Sequence, residues 1–182
     1  MEQYKIAVIV GSLRGESLNR KLAIAIGKML PAEFSLEYLN IADLPLYNQD
    51  HDDKPTESVK KLKNDILAAN GLLFVTPEYN RSMPGVLKNA LDHASRPYGQ
   101  SAWKGKPAAV LGVSVGAAGT ALAQQHLRNV LAYLDVPTLG QPEMFIHAKD
   151  GLFDEQGNIG PSSKQFFQNW VEQYTAWIKQ HC

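Results

Sequence analysis

Short apolar runs alternate with amphipathic stretches along the whole chain. Short apolar runs bounded by polar residues are typical of strands, which predicts strands at residues 4–10, 34–39, 72–76, 108–114 and 138–146. The first, third and fourth runs are built almost entirely from Val, Ile, Leu, Ala and Phe, as in central strands that are covered on both faces. The second, FSLEYL, alternates apolar with polar residues and predicts an edge strand.

The stretches between these runs carry apolar residues at helical spacing. Helices are predicted at residues 17–30, 57–69, 85–95, 120–134 and 162–178. Alternating strands and helices indicate βα units on a parallel sheet. The predicted fold class is therefore α/β, a flavodoxin-like three-layer sandwich with a five-stranded parallel sheet in the order 2-1-3-4-5. A chain of 182 residues is long enough for one such domain and too short for two ordinary ones, so residues 1–182 are predicted to form a single domain.

Composition limits the partners of this chain. Its apolar fraction of 45% and charged fraction of 20% are those of a soluble globular protein. The 18 basic and 18 acidic residues cancel, so no net field attracts nucleic acid or an anionic membrane, and neither partner is expected. The first apolar run is too short for a signal or membrane segment, which predicts a cytoplasmic location. Cys182 stands alone, which excludes an intrachain disulfide and a cysteine-based metal cluster.

The turn after the first strand, within VGSLRGESLNRKLA at residues 10–23, combines residue types that suit a phosphate. It contains glycines, short polar side chains at a helix start, and a guanidinium: Gly11, Gly15, Ser12, Ser17, Asn19 and Arg14. Helix N-terminal amides and the helix dipole attract anions. The alternative is an ordinary turn in which Ser17 caps the helix and Arg14 points into solvent. Because neither GxGxxG nor GK[ST] occurs in this turn, a mononucleotide phosphate is favoured over a dinucleotide or a nucleoside triphosphate.

The segment TPEYNRSMPGVLKNALD, residues 76–92, follows a buried strand directly. Two prolines stiffen it, which predicts a rigid polar loop before the next helix. Tyr79 offers an aromatic surface, and backbone amides from Glu78 to Ser82 can donate hydrogen bonds to a planar electron-accepting ring. The alternative is a turn that closes the core, with Tyr79 simply packed.

A third segment, VSVGAAGTA at residues 113–121, follows the fourth strand. Gly116 and Gly119 permit close approach of the backbone to a flat ligand, and Thr120 is predicted to cap the next helix. The segment is weak evidence by itself. The order 2-1-3-4-5, however, places the carboxyl ends of all three strands side by side, where open α/β sheets bind ligands.

The ordered motifs GSLRGESLNRKLA, LPLYNQD, TPEYNRSMPGVLKNALD and GKPAAVLGVSVGAAG resemble those of the NADPH-dependent FMN reductase family, which includes quinone, chromate and azo-dye reductases. The resemblance runs from Lys5 to about Glu143. It implies bound FMN as cofactor, NADPH or NADH as co-substrate, two-electron hydride transfer to a small-molecule acceptor, and a homodimer or homotetramer. It also implies contacts to the FMN phosphate from Ser12, Leu13, Arg14, Ser17, Leu18 and Asn19. Contacts to the isoalloxazine are implied for Pro77, Glu78, Tyr79, Asn80, Arg81, Ser114 and Gly116.

Two departures from the family pattern affect the ring site. Arg81 stands where several relatives have a second aromatic residue, and the third segment lacks the Gly-Gly pair that follows the serine in many members. The scattered histidines show no HExxH or related spacing, so no metal site is expected, and no catalytic acid, base or nucleophile is assigned.

The predicted function is an FMN-dependent NAD(P)H oxidoreductase that acts on a quinone-like, azo or other oxidised acceptor. The alternative from another class is a flavodoxin-type one-electron carrier. Such carriers are usually acidic and avoid arginine in the phosphate loop, whereas this chain is neutral and carries Arg14 and Arg20. A nucleotide-binding regulatory domain without chemistry is the third possibility.

Overall fold

A computed structural model describes residues 2–182, and its sheet has the predicted topology. Five strands form one parallel sheet in the order β2-β1-β3-β4-β5. Their bounds are Tyr4–Val10 (β1), Phe34–Tyr38 (β2), Gly71–Val75 (β3), Ala108–Ser114 (β4) and Met144–His147 (β5). The fold class and the edge position of β2 are thus confirmed.

Four α-helices connect the strands and a fifth follows β5, and together they cover both faces of the sheet. They are Leu18–Gly27 (α1), Glu57–Leu67 (α2), Gly85–Ala94 (α3), Ala121–Tyr133 (α4) and Pro161–Gln180 (α5). Apolar residues of α1 and α5 pack in one core, while those of α2, α3 and α4 pack in the other. Because β3 lies between these two cores, all five of its residues are buried. No helix within residues 2–182 is both long and apolar enough to cross a membrane.

The fifth strand begins later than predicted. Residues 138–146 were expected to form it, but the ladder with β4 starts only where Met144 lies opposite Leu111. Thr138 makes an isolated bridge with Ala108, and the chain between these two pairings leaves the sheet. Pro142 lies in this interval, and proline has no N–H to donate to a strand ladder.

The segment between β5 and α5 forms a small turn closed by hydrogen bonds. Phe153 and Ile159 make an antiparallel bridge. Inside it, the Asp154 carboxylate accepts hydrogen bonds from the Gln156 N–H, the Asn158 N–H and the Asn158 side chain, at 2.8 to 2.9 Å. These bonds, chiefly those from Asn158, hold the pKa of Asp154 below its ordinary value.

Candidate functional site

Three loops leave the carboxyl ends of adjacent strands and meet at one edge of the sheet. The first loop (residues 11–17) follows β1, the second loop (residues 76–84) follows β3, and the third loop (residues 115–120) follows β4. The Gly11 N–H donates to the Val75 carbonyl at 2.9 Å. A Cβ at Gly11 would lie 3.0 Å from the Thr76 hydroxyl oxygen, so the first two loops are in contact there. The structure therefore brings together the three segments that the sequence singled out.

The first loop presents unused backbone donors. Among residues 2–182, no acceptor receives the N–H groups of Leu13, Gly15, Glu16 and Leu18. Leu13 and Arg14 are exposed, and the Ser12 hydroxyl accepts only a long bond from the Arg14 N–H, at 3.4 Å. Free N–H groups at a helix N-terminus are the donors that an anion requires.

A cavity of about 450 Å³ lies beside the first loop, between it and the segment after β2. Both Arg14 and Arg20 line this cavity, together with Ser12 and Tyr38. No carboxylate among residues 2–182 lies within ion-pair distance of either guanidinium. The pKa of Tyr38 is raised above its ordinary value, because the effect of burial outweighs the opposite effect of the neighbouring Arg20. This cavity thus carries cationic charge from Arg14 and Arg20 that no acidic residue among residues 2–182 neutralises.

Two residues predicted to contact the phosphate have side chains that already form hydrogen bonds within the protein. The Ser17 hydroxyl caps α1 by accepting from the Arg20 N–H at 3.2 Å, which is the capping role weighed as an alternative. Asn19 is buried, and its side chain bonds to the backbone of Val113. Leu18 is half-buried and packs against the core. The side chains of Ser17 and Asn19 therefore have structural roles, and phosphate contacts from these three residues stay predictions that rest on the backbone.

Asn19 completes the sheet at the end of β4. The pairing of β3 with β4 ends at Val75 and Leu111, because the chain turns away at Pro77. Val113, two residues further, is then left without a strand partner on that side. The Asn19 Oδ1 accepts from the Val113 N–H at 3.0 Å, and the Asn19 Nδ2 donates to the Val113 carbonyl at 2.9 Å. A side-chain amide has one donor group and one acceptor, so it takes the place of a strand peptide.

The second loop contains a tight turn at residues 79–82. The N–H of each end residue, Tyr79 and Ser82, donates to the carbonyl of the other, at 2.9 and 3.0 Å. The two central residues adopt positive φ, 50° at Asn80 and 64° at Arg81, as in a type I′ turn. Tyr79 is 48% exposed, so it is not the packed core residue of the alternative interpretation. Asn80 and Arg81 are exposed beside it.

Glu78 has a role that the sequence did not reveal. Its Oε2 accepts from the N–H groups of Leu122 and Ala123, at 3.0 and 3.1 Å, and so caps α4. The prediction that Thr120 caps this helix is wrong, because Thr120 lies in the left-handed region with φ 72° and makes no capping bond. Its hydroxyl accepts from the Gln124 side chain instead, at 3.0 Å. Pro77, before Glu78, is half-buried, and its carbonyl accepts from the Thr76 hydroxyl.

The third loop is exposed from Val115 to Ala118. The Ser114 hydroxyl donates to the Gly116 carbonyl at 3.1 Å. A Cβ at Gly116 would meet only the Ser114 hydroxyl, at 3.7 Å, so the backbone there is open to a flat ligand.

The other glycine singled out in the third loop is required by packing. Gly119 has φ 56°, and a Cβ there would lie 2.6 Å from the Phe145 backbone, so the expected ligand approach is not what requires glycine. Packing also requires Gly112, which no sequence motif indicated, because a Cβ there would collide with the Thr76 carbonyl and the Thr120 hydroxyl.

A second cavity, of about 270 Å³, lies between residues 45–56, α2 and the end of α3. Three of its polar side chains already have partners inside the chain. Lys63 donates to backbone carbonyls, the His93 Nε2 lies 2.8 Å from the Pro45 carbonyl, and the Tyr47 hydroxyl donates to Asp52. Within residues 2–182, no group of His, Cys, Asp and Glu side chains is arranged to hold a metal ion.

The profile of a family described as NADPH-dependent FMN reductase matches residues 4–151. A 2-hydroxy-1,4-benzoquinone reductase from Burkholderia sp. is 53% identical over 176 residues, which are 96% of either chain. A quinone reductase from Pseudomonas putida is 46% identical over 177 residues, 97% of this chain and 95% of that one. The solved structure of FerB, a flavoenzyme NAD(P)H:(acceptor) oxidoreductase from Paracoccus denitrificans, matches with a TM-score of 0.94 and 42% identity, covering 98% of both chains.

The chain therefore belongs to the NADPH-dependent FMN reductase family. The resemblance seen in its motifs is confirmed, and so are the predictions of an oxidoreductase with FMN as cofactor and NAD(P)H as co-substrate. The residues present fit FMN. The unpaired N–H groups and Arg14 suit its phosphate, and the exposed donors of the second loop, the open backbone at Gly116 and the face of Tyr79 suit its ring.

Proposed function

We propose that this enzyme uses electrons from NADPH or NADH to reduce a quinone-like, azo or other oxidised small molecule through bound FMN, by two-electron hydride transfer in two half-reactions. The names of the relatives, quinone reductases and an NAD(P)H:(acceptor) oxidoreductase, support this reaction class. The observation that carries the proposal is the meeting of three donor-rich loops at one edge of the sheet.

The first loop would hold the FMN phosphate. The free N–H groups of Leu13, Gly15, Glu16 and Leu18 suit a dianion at the start of α1, and the Ser12 hydroxyl could add a further donor. Arg14 supplies a fixed positive charge that no acidic residue of the described chain neutralises. This arrangement favours FMN over riboflavin, which lacks the phosphate.

The second and third loops would hold the ring. Among residues 2–182, the N–H groups of Glu78, Asn80 and Arg81 donate to no acceptor. Donors fixed before the reaction stabilise negative charge as it develops on a reduced ring. FMN held by these loops would supply the redox chemistry between the nicotinamide and the acceptor. The protein positions the rings, and we assign no side chain as acid, base or nucleophile.

The predicted homodimer or homotetramer, single domain over residues 1–182 and cytoplasmic location remain part of the proposal. The one-electron carrier is the alternative function. Arg14 and Arg20 disfavour it, because both line the cavity beside the first loop and such carriers usually avoid arginine near the phosphate.

The test combines cofactor binding with turnover. Purified protein should bind FMN and oxidise NADPH or NADH in the presence of a quinone. Arg14→Gln should weaken FMN binding about tenfold and leave riboflavin binding unchanged, because it removes one charge-assisted contact to the phosphate. A long-lived semiquinone on anaerobic photoreduction, together with no NAD(P)H oxidation, would contradict the reductase function and support the one-electron carrier.

A further inference from the structure

The residue at the N-cap position of α4 does not cap the helix with its side chain. Its N-cap residue, Thr120, has φ 72° and makes no side-chain bond to the first turn. The first N–H groups of a helix have no partner within the helix and need an acceptor from elsewhere. The Glu78 carboxylate fills that need for Leu122 and Ala123, at 3.0 and 3.1 Å. A negative charge at this position also interacts favourably with the helix dipole. Glu78 thereby attaches the N-terminal part of the second loop to the first turn of α4.

A second hydrogen bond attaches the C-terminal residue of the same turn, Ser82, to α4. The Ser82 hydroxyl oxygen and the His126 Nδ1 are joined by a hydrogen bond of 2.9 Å. His126 lies four residues after Leu122 on α4, so both attachment points are on one side of the helix. Helix α4 therefore holds the segment from Glu78 to Ser82 at both of its ends.

The segment between the two attachment points is strained. Asn80 and Arg81 both have positive φ, which costs about 1 to 2 kcal/mol per residue for an L-amino acid. Asparagine tolerates this region, whereas arginine has no such advantage. Backbone in such conformations persists where the surrounding structure determines it from several sides. The two bonds to α4 and the Tyr79–Ser82 pair supply those constraints.

The strained residues also carry the unused backbone donors of this turn. The N–H groups of Asn80 and Arg81 donate to no acceptor within the described chain, while those of Tyr79 and Ser82 close the turn. The direction of the two free donors is thus set by the turn, and the turn is held by α4.

We propose that Glu78 and the Ser82–His126 pair are positioning residues that hold this turn against α4, so that the N–H groups of Asn80 and Arg81 are fixed before FMN binds. The Glu78 carboxylate acts through α4, and only its backbone belongs to the ring site. This inference rests on the proposed function, because it takes the second loop as the ring site. A turn that is ordered in advance loses less entropy when it binds, so the attachment raises FMN affinity.

The test uses variants at each attachment point and a matched control on the same helix. Glu78→Ala should weaken FMN binding about tenfold, because both capping bonds to a charged group are lost. Glu78→Gln keeps an acceptor oxygen without the charge and should lie between wild type and Glu78→Ala. Ser82→Ala, His126→Ala and the double variant should all show the same loss of about threefold, because each removes the same single bond. His126→Asn, whose amide can reach Ser82 from the Nδ1 position, should restore most of the affinity.

The control is Asn129→Ala, at an exposed position of α4 whose side chain makes no hydrogen bond within residues 2–182. It should leave FMN affinity unchanged. The readouts are FMN dissociation constants, the midpoint potential of bound FMN, the melting temperature of the apoprotein, and the backbone NMR resonances of Asn80 and Arg81 in the apoprotein. The proposal expects weaker binding, a more negative potential and altered resonances together in Glu78→Ala and His126→Ala.

Each contrary result has a distinct meaning. A lower apoprotein melting temperature in Glu78→Ala with unchanged FMN affinity and potential would reduce Glu78 to a simple helix cap and overturn the proposal. Weaker FMN binding with unchanged apoprotein resonances would indicate direct contact with FMN and would overturn it as well. Wild-type protein that binds no FMN would overturn both this inference and the proposed function, whereas the first two results would leave the proposed function intact.

Discussion

Replacing Asn19 with alanine should destabilise the protein well beyond the loss of one surface amide. Asn19 is 3% exposed, and its side chain is the partner of both polar backbone groups of Val113, which is itself 1% exposed. The variant leaves a buried N–H and a buried C=O without partners. Each unsatisfied group costs about 1 to 3 kcal/mol, so we expect the two together to lower the free energy of unfolding by about 2 to 6 kcal/mol.

The assay is urea denaturation of the apoprotein, supported by thermal melting. For a chain of this size, the expected loss corresponds to a decrease in melting temperature of roughly 4 to 24 °C. Asn19→Asp should lose at least as much at neutral pH, because it buries a negative charge, and its carboxylate, although it accepts from the Val113 N–H, cannot donate to the Val113 carbonyl. Asn64→Ala is the matched control, since Asn64 is exposed on α2 and its side chain makes no hydrogen bond within residues 2–182.

The control should be neutral or slightly stabilising, because alanine has the higher helix propensity. A change below about 0.5 kcal/mol for Asn19→Ala would refute the reasoning, since exposed substitutions commonly have effects of that size. It would mean that the end of β4 does not need the side-chain amide. A full loss in Asn19→Ala with none in Asn64→Ala would support Asn19 as the link between the start of α1 and the sheet.

Three further changes test other parts of the structure. Gly112→Ala should destabilise the apoprotein by about 1 to 3 kcal/mol in urea, because its Cβ collides with the backbone of the second loop, whereas Gly85→Ala, with open space around it, should be nearly neutral. Arg81→Gly should stabilise the apoprotein by about 0.5 to 1 kcal/mol in the same assay, because glycine adopts positive φ without strain, and an unchanged midpoint would argue against strain. Asp154→Ala should lower the melting temperature at pH 7. The lowered pKa of Asp154 means that its contribution is present above the ordinary value of about 3.9 and is lost as the pH falls through the lowered value, so the difference from wild type should shrink on acidification.

Much of the fold and the location of the site could be predicted from the sequence. The continuous apolar runs of β1, β3 and β4 identified central strands because a strand between two helical layers cannot carry polar residues on either face. The strand order then placed three loops at one edge, and their glycines, prolines and short polar residues indicated a cofactor site. The apolar runs and the loop residue types can each be recognised within a short stretch of sequence, which is why they could be predicted without the structure.

The sequence by itself therefore determined the fold class, the site region and, through its motifs, the family. Only the tertiary structure decided what individual side chains do: Glu78 caps a helix that begins 43 residues later in the chain, Asn19 completes a strand 94 residues away, and Gly112 makes room for the second loop. Each of these partners is distant in sequence and adjacent only after the sheet has formed. The chemistry of a side chain limits which bonds it can make, but which partner it meets depends on packing that no local pattern records.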